Sequence, residues 1–199
     1  MLAVAVPGEL GSWQPPEGLE TLIIGVGPVE AACAVVAALA RRRYSLVVNA
    51  GIGGAFAGTA EIGDGVVVAD DTMELALESG APLALPLGIE LVEKAESDAA
   101  LVERLCAKGF RALHGVTVTR VTASDATARR LSGRGAQVES MEGFAVLRAA
   151  QRAGVPAIQL RGISNRCGER KFSGWDFAAG VAGLRRILEA CLEIVSSEN

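Results

Sequence analysis

Two short stretches of this chain carry residue types suited to chemistry on a small molecule. Leu160-Arg161-Gly162-Ile163-Ser164-Asn165 is an apolar run that breaks into polar residues, as a buried strand does when it ends at a site. Upstream of it, Val138-Glu139-Ser140-Met141-Glu142-Gly143 places Glu142 at the start of an Ala-rich helical pattern, Gly143 to Ala153. A carboxylate at a helix start and an amide at a strand end are how α/β sheets present polar groups to a ligand. Each residue also has a plainer reading. Asn165 fits a turn cap in Asn165-Arg166-Cys167-Gly168, and Glu9, just after the first apolar run, fits a solvated loop.

The elements that must position these groups show in the hydrophobic pattern. Leu2–Val6, Thr21–Val26, Leu46–Asn49, Val66–Ala69, Val116–Val121 and Ala157–Ile163 read as strands, most nearly continuous in apolar character and so buried on both faces. Val29–Arg42, Asp98–Lys108, Ala126–Leu131, Glu142–Ala153 and Asp176–Val195 read as helices. Gly109 and Gly154 follow two of them as C-cap glycines, and Ser173-Gly-Trp-Asp176 resembles a capping box before the last. Short strands alternating with longer helices predict a three-layer α/β/α domain over residues 1–199, with a central twisted, mainly parallel mixed sheet. Ala81–Gly88 reads as an irregular loop.

Composition narrows the function. Half of the 199 residues are hydrophobic and only 4% aromatic, so a generous core is built from Ala, Val, Leu and Ile. The net charge is −4 and Arg41-Arg42-Arg43 is the one basic cluster, suited to a helix C-terminus; nucleic acid is not an expected partner. No apolar run approaches a membrane span. Met1–Val6 lacks a basic leader and meets Pro7-Gly8-Glu9 at once, so it reads as a strand and not a signal peptide; the expected location is the cytoplasm. With one histidine, His114, and no zinc-like cysteine spacing, neither a metal nor an organic cofactor is expected. Cys33, Cys106 and Cys191 read as small core residues, and Cys167 sits in a polar loop near Asn165.

The glycine-rich segments fail the dinucleotide pattern. Gly51-Ile-Gly53-Gly54 has Phe56 where the third glycine would stand, and Gly25-Val-Gly27 continues to Glu30. What remains is either a tight turn or a ligand cradle.

Taken together, the chain resembles the purine nucleoside phosphorylase and nucleosidase superfamily, and within it the methylthioadenosine/adenosylhomocysteine nucleosidases. The resemblance rests on Glu9 after the first strand, Ile24–Ala32, Val47–Gly54, Ile62–Val66, Met141-Glu142-Gly143 and Arg161–Asn165. The futalosine hydrolases of the alternative menaquinone pathway fit best inside that group. Breaking a purine–ribose bond passes through a ribosyl oxocarbenium ion, so water must be activated, the sugar held and the leaving base stabilised. The resemblance gives Glu9 the role of general base. It gives Glu142 the ribose hydroxyls, with Met141 packing on the sugar, and sets Arg161 near the attacking water. Gly53 and Trp175 join the substrate-binding set; Trp175 is either an aromatic near the base or a packing anchor at the helix start. Arg166, Arg170 and Lys171 either meet a carboxylate on the substrate or form an exposed basic loop.

Asn165 stands where the adenine-specific relatives carry an aspartate. Its oxygen can accept the proton on nitrogen-7 while its NH2 donates to a 6-oxo group, the pattern of hypoxanthine. The resemblance therefore implies a small nucleoside, futalosine, as substrate and a homodimer as the working form. An adenine nucleosidase, a phosphorylase and a non-catalytic nucleoside-binding module remain the alternatives. Ser140 interrupts the usual Val-Glu-Met-Glu run, which leaves the role of Glu139 open, and Ile52 replaces a small polar residue.

Overall fold

The computed structural model describes residues 1–81, 83–86, 89, 91–169 and 174–197. Among them, eight strands form one sheet: β1 (Leu2–Val4), β2 (Thr21–Ile23), β3 (Val47–Ala55), β4 (Gly65–Met73), β5 (Lys94–Glu96), β6 (Arg111–Thr117), β7 (Val138–Ser140) and β8 (Ala157–Arg166). The helices are α1 (Pro28–Arg41), α2 (Ala99–Ala107), α3 (Asp125–Ser132), α4 (Gly143–Arg152) and α5 (Phe177–Ser196), with a 3-10 turn at Pro7–Leu10.

The sheet is the mainly parallel mixed one that the alternation predicts. Pairs β1–β2, β1–β3, β3–β8, β4–β6 and β6–β7 are parallel, while β3–β7, β4–β5 and β4–β8 are antiparallel. Because β3 pairs with both β8 and β7, the path β3-β8-β4-β6-β7 closes on itself. Ala55, Val66, Val68, Leu113, Val138 and Ile163, drawn from all five ring strands, cluster separately from the layers outside.

Side-chain alternation along β1 sorts those layers. Leu2 and Val4 pack with Leu101 and Leu105 of α2 and with Leu184, Leu188 and Cys191 of α5. Met1 and Ala3 pack with Ala31 and Val35 of α1 and with Val146 and Ala150 of α4. Each fully buried leucine contributes about 1.5–3 kcal/mol, so these two apolar faces decide which helix lies where. Helix starts are fixed locally: Asp98 caps α2 by accepting from Leu101 N at 3.0 Å, Ser124 caps α3 through Thr127 N at 3.2 Å, and Asp176 caps α5 through Ala179 N at 2.9 Å. Glycines let α5 lie close. A Cβ on Gly162 would overlap the Gly180 carbonyl, and one on Gly65 would come within 2.5 Å of the Gly183 carbonyl.

Several sequence expectations need correction. β3 does not stop at Asn49 but runs on through Gly51-Ile-Gly53-Gly54, and β6 ends at Thr117 instead of starting near Val116. The three-residue β5 and β7 carry too few residues to show a period. Cys33 and Cys106 are exposed on α1 and α2, whereas Cys167, expected in a polar loop, is buried. The cap of α5 is Asp176 itself; Ser173, like Arg170, Lys171 and parts of the Ala81–Gly88 loop, lies outside the described residues. No described helix is long and apolar enough to cross a membrane.

Candidate active site

Strands β3 and β8 run in register from Val47 opposite Ala157 to Gly53 opposite Ile163, and then slip so that Gly54 faces Asn165. Ser164 is the extra residue. Such a bulge re-aims the side chains beside it, and here Ser164 and Asn165 both line one cavity of about 170 Å³. Glu9, Gly53, Met141, Glu142 and Trp175 line the same cavity, so six of the seven residues singled out from the sequence converge. Arg161 does not reach the cavity wall; it is 1% exposed and lies behind it, beside Glu9.

Glu9 sits in the 3-10 turn after β1 and is held from three sides. Its Oε2 accepts from Ala5 N at 2.9 Å and Val6 N at 3.3 Å, and its Oε1 accepts from Ile52 N at 3.0 Å. Burial pushes its carboxyl above the usual carboxylate range, against the opposing pull of the Ile52 N–H and of Arg161. The glycine at position 51 makes the meeting possible. A Cβ there would stand 2.5 Å from Arg161 Nη1 and 2.7 Å from Glu9 Oε1. The segment is therefore not a tight turn: it is a strand whose missing side chains leave room for its neighbours, with Gly53 and Gly54 lining the cavity. Arg161 in turn donates from Nη2 to Asn49 Oδ1 at 2.6 Å, and its buried Nε has no partner.

Glu142 precedes the first turn of α4 and is 7% exposed. Its Oε1 accepts from Gly27 N at 2.9 Å, which leaves Oε2 available. Gly27 presents that N–H from a backbone with φ +93°, a conformation open to glycine at little cost. This is the function of the Gly25-Val-Gly27 segment: a turn into α1 that also steadies a site carboxylate. Glu139, whose role the sequence left open, is buried in the wall and receives both the N–H and the hydroxyl of Thr122.

The amide of Asn165 is oriented at both ends. Ser164 Oγ donates to Oδ1 at 2.9 Å, and Nδ2 donates to the Arg166 carbonyl at 3.4 Å. One lone pair on Oδ1 and one hydrogen on Nδ2 are left for a ligand. Ser164 was not singled out from the sequence, and its only signal was its place beside Asn165. Trp175 is 52% exposed on the cavity rim, too open to be a packing anchor, and Asp176 N ties this segment to β8 through the Ser164 carbonyl at 2.8 Å. Arg166 points to solvent and pairs with Glu61.

A larger cleft of about 520 Å³ lies along β4 and β6. Several of its polar groups are already engaged, Asp70 with His114 at 2.8 Å and Glu74 with Arg130 outside the lining at 2.5 Å, so its size does not make it the reactive site. Among the described residues, no group of three or more His, Cys, Asp or Glu side chains is placed to hold a metal ion. What the smaller cavity offers is three buried carboxylates, of which Glu139 is engaged by Thr122, and an oriented amide, enough to activate a water, hold hydroxyls and meet a heterocyclic edge.

Comparison with known proteins gives this geometry a context. The model of the phosphorylase superfamily matches residues 19–193. The futalosine hydrolase of Streptomyces coelicolor is 40% identical over 85% of this chain and 76% of its own length. That of Thermus thermophilus is 32% identical over 88% and 81%. Among solved structures, the 5'-methylthioadenosine/S-adenosylhomocysteine nucleosidase of Neisseria meningitidis, in complex with methylthio-immucillin-A, superposes with a TM-score of 0.77 over 96% of both chains at 15% identity. The nucleosidase of Colwellia psychrerythraea, in complex with adenine, gives 0.78 over 96% of this chain and 93% of its own at 16% identity. These two establish the shared fold.

Proposed function

Since this chain belongs to the phosphorylase superfamily and, within it, to the futalosine hydrolases, we infer that it cleaves the N-glycosidic bond of futalosine with water, releasing hypoxanthine and the base-free sugar product. The observation that carries the choice of base is the orientation of Asn165. With Ser164 on its oxygen and the Arg166 carbonyl on its nitrogen, the amide turns one acceptor and one donor toward the ligand. A hypoxanthine protonated at nitrogen-7 offers the complement, an N–H and a 6-oxo group. An adenine would set its 6-amino donor against the Asn165 donor, in a wall where Asn165 is 8% exposed and water cannot relieve the clash.

The remaining groups divide the work. Glu9 takes the proton of the attacking water as the oxocarbenium ion forms; burial above the ordinary carboxylate range makes it a stronger base. Glu142 accepts from ribose hydroxyls with the oxygen that Gly27 leaves free, and Met141 packs on the sugar. Arg161 balances the charge of Glu9 from behind the wall. Asn165 cannot itself supply the proton to nitrogen-7, so water delivers it.

The working form is a homodimer in the cytoplasm. Val6, Val26, Val29, Trp175 and Phe177 leave an exposed apolar margin on and near the cavity, which a second copy would cover, and Cys33, Cys106 and Cys191 stand as thiols, in keeping with a reducing compartment. Light scattering tests the dimer, and an active monomer would contradict it. The substrate reading is tested by comparing futalosine, inosine and methylthioadenosine as substrates of the purified protein. Futalosine should give the highest kcat/KM; a preference for methylthioadenosine would refute the role given to Asn165.

A further inference from the structure

Glu142 occupies the cap position of α4, where a carboxylate ordinarily accepts from the N–H two or three residues on and is consumed in closing the helix end. Here it makes no such bond, and its carboxylate turns to Gly27 and the cavity. The helix N–H it would have taken, that of Phe144, goes instead to Thr117 Oγ1 at 2.8 Å. The Gly143 N–H goes to Ser140 Oγ at 3.3 Å. Thr117 can accept in this way because its own hydrogen is committed elsewhere, to Asp71 Oδ1 at 2.8 Å. Asp71 is fully buried and fixed on its other side by Gln159 Nε2 at 2.9 Å. The seat is close: a Cβ on Gly143 would overlap both Asp71 Oδ2 and the Gln159 amide, so only glycine lets α4 settle onto it.

We propose that Thr117, held by Asp71, is a positioning residue for Glu142: it caps α4 in the place of Glu142 and so keeps that carboxylate free for the substrate. Without the Thr117 hydroxyl, the part-buried Phe144 N–H loses its partner, and Glu142, at the cap position of the same helix, holds the carboxylate that ordinary capping geometry would offer it. The carboxylate then folds back onto its own helix and leaves the sugar. Asp71 touches no substrate; it sets the direction of the Thr117 hydroxyl.

The inference rests on the reading of Glu142 as the ribose acceptor, and a double-mutant cycle separates the two. Thr117→Val keeps shape and removes the hydroxyl; it should raise KM for futalosine by about tenfold, with a smaller loss in kcat. In a Glu142→Gln background the same change should add less than about twofold, because the group it misdirects has already been altered. Thr117→Ser should stay within about threefold of wild type. If Thr117→Val does not fold, Asp71→Ala, which frees the hydroxyl to turn away, carries the same expectation. A KM effect below threefold, or an equal effect in both backgrounds, would overturn the proposal. Glu142→Gln with wild-type kinetics would instead remove the reading of Glu142 itself.

Discussion

Replacing Asn165 by aspartate is the perturbation with the sharpest expected outcome. The carboxyl group offers an acceptor where the amide has its donor, so a 6-amino group becomes matched and a 6-oxo group mismatched. Asn165 is 8% exposed, and the swapped pair is therefore not rescued by water; one buried hydrogen bond made or broken is worth about 1–3 kcal/mol, or roughly five- to 150-fold. The surroundings place the effect in the lower half of that range. Ser164 Oγ goes on donating to the new carboxyl, but the Arg166 carbonyl, now 3.4 Å from an oxygen in place of a nitrogen, competes with nitrogen-7 for the acid proton. The assay is the ratio of kcat/KM for futalosine to that for its 6-amino analogue, measured in both proteins. The ratio should fall by about tenfold. An unchanged ratio would mean that Asn165 does not face the base, and the account of base choice would be wrong.

Glu9→Gln should abolish nearly all turnover with little change in substrate binding, since an amide cannot take a proton from water; retention of more than about a tenth of the rate would mean another base. Because burial raises Glu9, wild-type kcat/KM should fall on acidification at a pH above the ordinary carboxylate value of 4.5, and an acid limb at or below that value would contradict its role. Gly51→Ala should cost at least about 1–3 kcal/mol of stability and most activity by driving Glu9 and Arg161 apart, as read by denaturant titration and turnover; a fully active, equally stable variant would refute the close approach. Asp71 makes a stability prediction with a definite sign. Burial raises its carboxyl from 3.8 to about 6, so its contribution is fully present below pH 3.8 and is lost as pH rises through 6, amounting to about 3 kcal/mol. Asp71→Asn should lose that part of the pH dependence between pH 4 and 7, and an identical slope in both proteins would refute it.

Most of the architecture was legible because its main strands are buried on both faces and its helices carry apolar stripes with recognisable starts. The sheet's closure was not, since it depends on β7, three residues long, and on the slip at Ser164, and neither leaves a periodic trace. Cys33 and Cys106 were misplaced because cysteine in an Ala-rich helix says nothing about which face it occupies. In the site, the ionisable residues could be read from their motifs, but their supports could not. The N–H groups of Ala5, Ile52 and Gly27 belong to the backbone, and any residue type but proline could have supplied the first two. Thr117 and Asp71 lie on strands far from Glu142 in sequence and meet it only through the fold. The glycines at 51, 53 and 54 could be read only as a tight turn or a ligand cradle. In the fold their missing side chains also make room for the Arg161 and Glu9 side chains, the Glu139 carbonyl and the Asn165 amide.

The central claim is that water, activated by Glu9, breaks the bond between hypoxanthine and the sugar of futalosine. The most direct test is product analysis by mass spectrometry after incubating the purified protein with futalosine in phosphate-free buffer, beside the Glu9→Gln variant. The account predicts equimolar hypoxanthine and free base-less sugar product from the wild type, unchanged by added phosphate, and almost none from the variant. Release that requires phosphate and yields a sugar 1-phosphate, or no release of hypoxanthine at all, would contradict it.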